Sequence, residues 1–339
     1  MNFLRPYVIV GFSLLIASCG SGGGDSPTPS PPAASTGFTQ TYTASATAGE
    51  ILTYTIDTQN KTYSYKIIYS AYGLTNATGN GTLVTNSDGS YSPSNAPSTK
   101  VYAIQNGLLI GTVNLTLNNV PRIVPILGMA QPIASPAALA GMYNFVGIQC
   151  AGQTFGVYTG CISSYGTVQI PTAGTTYTSC PSANIATLLG LGPCSPLSTG
   201  TLSLLGNGVW QAIRTGSVNT NYFLAFAAPN GQNVLLLDLN DPGGYGYGFI
   251  VMSTQAGYVQ NLVDGTWFFQ TTAGTAGSLT VAGTQIASSL GPNVSATFDS
   301  PWMGAVSISN GGLALLAGTG AYAYINPGFP GFLELGIKK

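Results

Sequence analysis

Nine carboxylates and no histidine set the chemistry open to this chain. Without an imidazole, Ser-His-Asp and Cys-His nucleophilic systems and His-based zinc catalysis are out of reach. A base would have to be a carboxylate, a lysine or a tyrosine. The nearest carboxylate pair in sequence is Asp238 and Asp241, in "LLLDLNDPGGYGYG". Two carboxylates flanking a glycosidic bond can hydrolyse it. A carbohydrate-active enzyme therefore stays as an alternative, and it requires two of Asp238, Asp241, Asp264, Asp299 and Glu334 to converge. Asp-Pro-Gly-Gly is also a strong turn sequence, and the pair is read here as part of a turn. A cation loop is the smaller alternative, since Asp238, Asn240 and Asp241 are oxygen ligands, but the EF-hand pattern fails, because Pro242 takes a ligand position and Phe249 stands where the bidentate Glu belongs. No catalytic residue, metal or cofactor is assigned.

Aromatic residues offer a second kind of site. "GGYGYGF" (Gly243 to Phe249) alternates glycine with Tyr245, Tyr247 and Phe249. With Trp302, Tyr245 and Tyr247 are the candidate ligand-binding residues, able to stack on a sugar or another flat molecule. The competing reading is a strand whose glycines admit a neighbouring ring or backbone.

Composition removes several partners. Hydrophobic residues make up 45% of the chain, but only 8 residues are Lys or Arg and 9 are Asp or Glu, for a net charge of −1. No formal charge lies between Arg122 and Arg214. There is no basic stripe for nucleic acid and no field to steer a charged substrate. Ser, Thr, Asn, Gln and Gly must supply most of the wet surface.

Positioning falls to strands. Tyr42, Ala44 and Ala46 alternate with Thr and Ser; so do Leu52, Tyr54 and Ile56, and then Tyr63, Tyr65, Ile67 and Tyr69. This period of two marks half-buried antiparallel strands. Asn80-Gly81, Asp88-Gly89, Asn106-Gly107, Asn207-Gly208, Asn230-Gly231 and Asn310-Gly311 match the positive φ that hairpin turns demand. Helix signals are confined to Ser135–Gly141, with an N-cap, Pro at N1 and a Gly stop, and to Ser182–Gly190. The expected fold is all-β: a small N-terminal sandwich or meander over 38–122, then a larger antiparallel barrel-like domain over 138–337. The proline-rich "PRIVPILGMAQPIASP" marks the boundary near 120–138. One continuous β-body is the alternative.

Four cysteines lie in the larger region: Cys150, Cys161, Cys180 and Cys194. The even number and an exported chain predict two disulfides. Three connectivities are open, and short local loops favour Cys150–Cys161 with Cys180–Cys194.

An internal echo links "LAGMYNFVGIQ" and "LVDGTWFFQTT": Gly141 matches Gly265, Tyr143 matches Trp267, and Phe145 matches Phe269. The aromatic is read as facing inward from a barrel strand after a tight turn. Gly265-Thr266-Trp267 resembles the G-x-W opening of lipocalin barrels. Lipocalins carry it on their first strand, whereas here it lies deep in the chain.

The N-terminus supplies an address. Arg5, the apolar run Val8–Ile16 and the small residues Ala17 and Ser18 form an export signal over 1–18. Ile16-Ala17-Ser18-Cys19 resembles the lipobox of bacterial lipoproteins. The resemblance implies a diacylglycerol thioether at Cys19, cleavage before it, and acylation (palmitate or a similar chain) of the new amino group. Several acyl chains anchor a protein stably. Gly20, in place of the Asp that resembles an inner-membrane retention signal, implies the outer membrane. Residues 19–37 then read as the lipidated Cys and a Gly/Ser/Pro tether with too little apolar surface to fold.

These features predict a lipid-anchored outer-membrane protein, with the membrane as a partner through Cys19. Its all-β body would act as a non-enzymatic binding or adhesion module for a glycan, a protein or a small apolar molecule. A periplasm-facing structural or assembly role is the alternative. The cell surface and the periplasmic face are both open.

Overall fold

Tyr42 lies opposite Tyr54, and Ala44 opposite Leu52, in the first strand pair of the chain. All four are fully buried or nearly so. The computed structural model describes residues 37–70, 72–117, 119–154, 157–181, 197–228, 230–240, 246–316 and 320–339. The export signal, Cys19 and the tether up to residue 36 lie outside them, as do the expected helix at 182–190, Cys194, Asp241 and Tyr245.

Antiparallel strands dominate and close into three eight-stranded barrels, each in sequential order. The first comprises β1 (Thr39–Ala46), β2 (Glu50–Asp57), β3 (Thr62–Ser70), β4 (Thr78–Thr85), β5 (Tyr91–Pro93), β6 (Val101–Ala103), β7 (Leu108–Leu117) and β8 (Val120–Met129). The second comprises β9 (Gly141–Thr154), β10 (Val157–Ile170), β11 (Thr176–Pro181), β12 (Ser198–Gly206), β13 (Val209–Arg214), β14 (Asn221–Ala227), β15 (Asn233–Asn240) and β16 (Tyr247–Thr254). The third comprises β17 (Gly265–Thr271), β18 (Ala276–Ala282), β19 (Gln285–Ser288), β20 (Val294–Phe298), β21 (Val306–Ile308), β22 (Leu313–Leu315), β23 (Ala321–Ile325) and β24 (Leu333–Lys338).

The all-β, barrel-forming class is as expected; the partition is finer. The N-terminal region closes, because β1 pairs with both β2 and β8. The region 138–337 holds two barrels. Residues 120–129, expected as a boundary, form β8. Its prolines, Pro121 and Pro125, lie where β8 pairs with β7 alone. From Ile126 onward β1 flanks its other side. A proline cannot donate to a ladder, so it is tolerated where one neighbour is missing.

Asn80-Gly81 is not a turn. It lies inside β4, paired with Ser64 and Tyr63. The ring of Tyr63 leans over Gly81, where a Cβ would come within 2.9 Å of it. The glycines here make room for tyrosines that fill the first barrel. Asn207 and Gly208 do take left-handed φ values, 52° and 72°, at the β12–β13 hairpin.

Each barrel has its own apolar interior. A fourth core lies between the barrels and draws on the outer faces of all three: Ile110 and Leu127 of the first, Val146 and Leu236 of the second, Phe268 and Leu335 of the third. Strands with both faces buried lose their alternation, which is why β15 reads NVLLLDLN. One stacked aromatic pair bridges each junction. Tyr69 meets Tyr222 at 5.0 Å between centroids, Tyr102 meets Phe268 at 5.5 Å, and Tyr165 meets Trp302 at 6.3 Å.

Cys150 and Cys161 are directly opposed on β9 and β10 and form a disulfide. Cys180 is also disulfide-bonded.

Candidate functional site

The second barrel is hollow. It holds a half-open cavity of about 570 Å³, and the third holds one of about 170 Å³. The difference follows from the inward positions. In the first barrel they carry Tyr42, Tyr54 and Tyr65, and the hydroxyl of Tyr42 spans the interior to the Ile104 carbonyl at 2.8 Å. In one half of the second barrel they carry small residues: Ser164, Ser179, Ser198 and Ala212 all face the cavity.

Strand register sorts the lining by depth. Ile170 lies opposite Gly141, where the barrel begins, and Val168 opposite Tyr143. This end is apolar, built from Phe145, Val168, Ile170, Leu202, Leu235 and Met252. Ser179, directly opposite Val168, and its partner Ser198 lie part-way along, and Arg214 and Asn221 follow on β13 and β14 toward the other end. Gln149 and Ser164 join them around the cavity. Arg214 is exposed, and Asn221 is held by accepting the Asn240 N–H at 2.8 Å. The cavity can therefore take a body without polar groups at its deep end and meet hydrogen-bonding atoms at the other.

A single turn shuts the deep end. Pro136–Leu139 forms a 3-10 turn whose last residue, Leu139, is fully buried in the barrel interior. The Tyr143 hydroxyl donates to the Leu139 carbonyl at 2.7 Å, and Trp210 Nε1 donates to the Ile133 carbonyl at 2.7 Å. The third barrel repeats the device. Gln260–Val263 is a one-turn helix with Val263 buried, and Trp267 Nε1 donates to the Val263 carbonyl at 3.0 Å. Gly141 and Gly265 open β9 and β17, so the echo in the sequence marks the first strand of two successive barrels. The G-x-W that lay deep in the chain is thus at the start of its own barrel.

The other expected site residues fall elsewhere. Tyr247 pairs with Cys150 and packs in the core between barrels. Trp302 packs against Tyr165 in the same core, with its indole nitrogen out of solvent and unbonded. Neither lines the large cavity.

The carboxylates also separate. Asp238 is in β15, not in a turn; its side chain faces outward from the second barrel into the inter-barrel core, and burial pushes its carboxyl well up from the usual range. The strand continues through Asp238 because Tyr222 and Phe249 hold it in register on both sides. Asp264 accepts the Gly283 N–H and Asp299 the Gly304 N–H, both structural roles. Glu334 lies in the small cavity of the third barrel with Tyr322 and Tyr324. No two of Asp238, Asp264, Asp299 and Glu334 face each other. The negative charge of Glu50 in the first barrel adds to the upward push on the Asp238 carboxyl, after burial.

No family model and no curated protein matches the chain. Among solved structures it is similar to a protein of unknown function from the DUF3598 family of Nostoc punctiforme, at 11% identity and a TM-score of 0.24, over 64% of this chain and 94% of that one.

Proposed function

We propose that the protein is an outer-membrane lipoprotein, anchored through Cys19, whose second barrel binds a small, mainly apolar molecule. The cavity of about 570 Å³ carries this reading. A space of that size with an apolar floor and a few convergent polar groups is the usual form of a small-molecule site. Of the partners expected from the sequence, a small apolar ligand is the one for which the body supplies a deep, largely apolar space.

The outward surface of the first barrel supports a body bathed in water. Thr41, Ser64, Lys66, Asn80 and Asn114 point outward and are exposed. A membrane-spanning barrel needs an apolar outer band instead.

The test uses the full chain and the dye N-phenyl-1-naphthylamine, which brightens in apolar surroundings. Saturable brightening is expected, and Ala212→Phe, which fills the cavity, should remove it. Absence of saturable binding in the wild type, or equal binding in the variant, would overturn the reading. Cys19→Ala should release the protein from the membrane fraction. Protease added to intact cells then decides between the cell surface and the periplasmic face.

A further inference from the structure

The third barrel keeps a carboxyl group inside its own small cavity. Glu334 is the first inward residue of β24, beside Tyr324 of β23 and Thr271 of β17 in register. It lines the space of about 170 Å³, whose walls are otherwise mainly apolar, with Leu279, Ile286, Val294, Ile308 and Leu316.

Two glycines shape this site. Tyr322 and Gly336 are cross-strand partners, and the Tyr322 ring occupies the space that a side chain at Gly336 would need. From there its hydroxyl donates to Glu334 Oε1 at 2.6 Å. The Tyr324 ring covers Gly312 in the same way, and its hydroxyl donates to Asn310 Oδ1 at 3.1 Å. Both tyrosines, Asn310 and Glu334 line the one cavity.

No cation answers the carboxyl. Among the described residues Tyr322 is the only donor to Glu334, and it takes Oε1, which leaves Oε2 unbonded. Lys338, four residues on along the strand, is engaged at the plugged end of the barrel. Its Nζ donates to the Leu262 carbonyl at 2.9 Å and stands 6.0 Å from the centre of the Trp267 ring. No described Lys or Arg lines the cavity. A carboxylate held among apolar walls without a counter-charge is costly.

We propose that this cavity is a second ligand site, for a small organic ammonium ion. The ammonium group would meet Glu334 in a charge-assisted hydrogen bond, which is stronger than a neutral one. The rings of Tyr322 and Tyr324 add the attraction of aromatic groups for a cation. The carbon body would lie against the Leu, Ile and Val walls. An apolar cavity of about 150 Å³ takes up benzene. The space of about 170 Å³ thus suits one ring, or a short branched chain, with its amino group. The larger cavity of the second barrel has Arg214 as its described charged group and offers an ammonium ion no counter-charge. The inference is independent of that cavity and its ligand.

Benzylammonium is the probe, and uncharged benzyl alcohol, of nearly the same shape, is its control. Both are titrated calorimetrically near pH 8 into the full chain and into Ala212→Phe, whose second barrel is filled so that the smaller cavity alone reports. Benzylammonium should bind equally to the two proteins, and about tenfold or more tighter than the alcohol, as one hydrogen bond to a charged group implies. Glu334→Gln should remove that preference, and Ala314→Leu, which narrows the small cavity, should abolish benzylammonium binding. As pH falls through about 7 Glu334 takes up a proton, so affinity for benzylammonium should fall while that for the alcohol stays level. The groups that face Glu334 are Tyr322, Tyr324 and Thr271; burial raises both phenols, so all three stay neutral over this range. Should Glu334→Gln fail to fold, the pH profile and the difference between the two ligands still decide. Absence of benzylammonium binding, equal affinity for the two ligands, or binding lost in Ala212→Phe would overturn the proposal.

Discussion

Tyr143 and Trp267 occupy the same place in successive barrels: each stands two residues after the glycine that opens the first strand and donates to the carbonyl four residues back. Both are fully buried. Each therefore ties a one-turn plug to the barrel wall. Tyr143→Phe keeps the ring and removes the bond, leaving the Leu139 carbonyl unpaired. A loss of about 1–3 kcal/mol is expected by urea unfolding. Trp267→Phe should cost at least as much, because it also leaves a void. The two sites lie in different barrels and share no partner, so their costs should add to within about 0.5 kcal/mol in the double variant.

Glu334 predicts a pH dependence. It accepts the Tyr322 hydroxyl at 2.6 Å inside the third barrel. Burial raises its carboxyl from 4.5 to about 7, against the lowering effect of the Tyr322 bond. The neighbouring polar groups in that cavity, Tyr324 and Asn310, are uncharged near neutrality. The folded state thus holds a proton that the unfolded chain gives up. This contribution is full below pH 4.5 and is lost as pH rises through about 7. The drop is about 3 kcal/mol at most. Glu334→Gln should flatten that part of the stability–pH curve; an unchanged slope would show the carboxyl titrating normally.

The Cys150–Cys161 disulfide closes a separation of 11 residues. Its hairpin is already paired along its length. In the chain-entropy account a loop this short contributes about 2–3 kcal/mol. The double variant Cys150→Ala, Cys161→Ala should lose that amount in guanidinium unfolding and still bind the dye, since both residues face away from the cavity.

Cavity filling separates binding from folding. Ala212→Phe should abolish dye binding while its unfolding midpoint stays within reach of the wild type, because the added ring enters empty space. By contrast, Leu224→Ala, in the core between the barrels, should keep dye binding and cost about 2–5 kcal/mol, as a buried side chain is removed.

The parts of the fold governed by one exposed and one buried face were legible in the sequence. Tyr42 to Ile67 alternate because the first barrel turns Thr, Ser and Lys outward; a register shift beside Ile51 then sets Tyr69 on the outer face, against Tyr222. The Gly-x-aromatic-x-Phe echo disclosed two barrel starts, because the plug imposes the same demand twice. Asn80-Gly81 misled, since its glycine serves the Tyr63 ring and not a turn. Division of the region 138–337 into two barrels was hidden for a related reason. Val234 to Leu239 are buried on both faces, one in the barrel and one between barrels, and such a run carries no period. The hollow in the second barrel is a matter of Ser and Ala at inward positions, legible only once the register is known.

Closure of the three barrels bears on how this protein behaves when crowded. Every described strand has a neighbour on each side. Among the described residues unpaired edges are confined to hairpin arms that outrun their neighbours, such as residues 157–165 of β10, which pair with β9 alone, so elsewhere an extended segment from another chain finds no sheet to join. Molecules packed side by side at high local density could template one another only through those arms. Elsewhere macromolecular recognition has to pass through side chains and loops, which leaves the polar, sparsely charged outer faces free to vary without inviting aggregation.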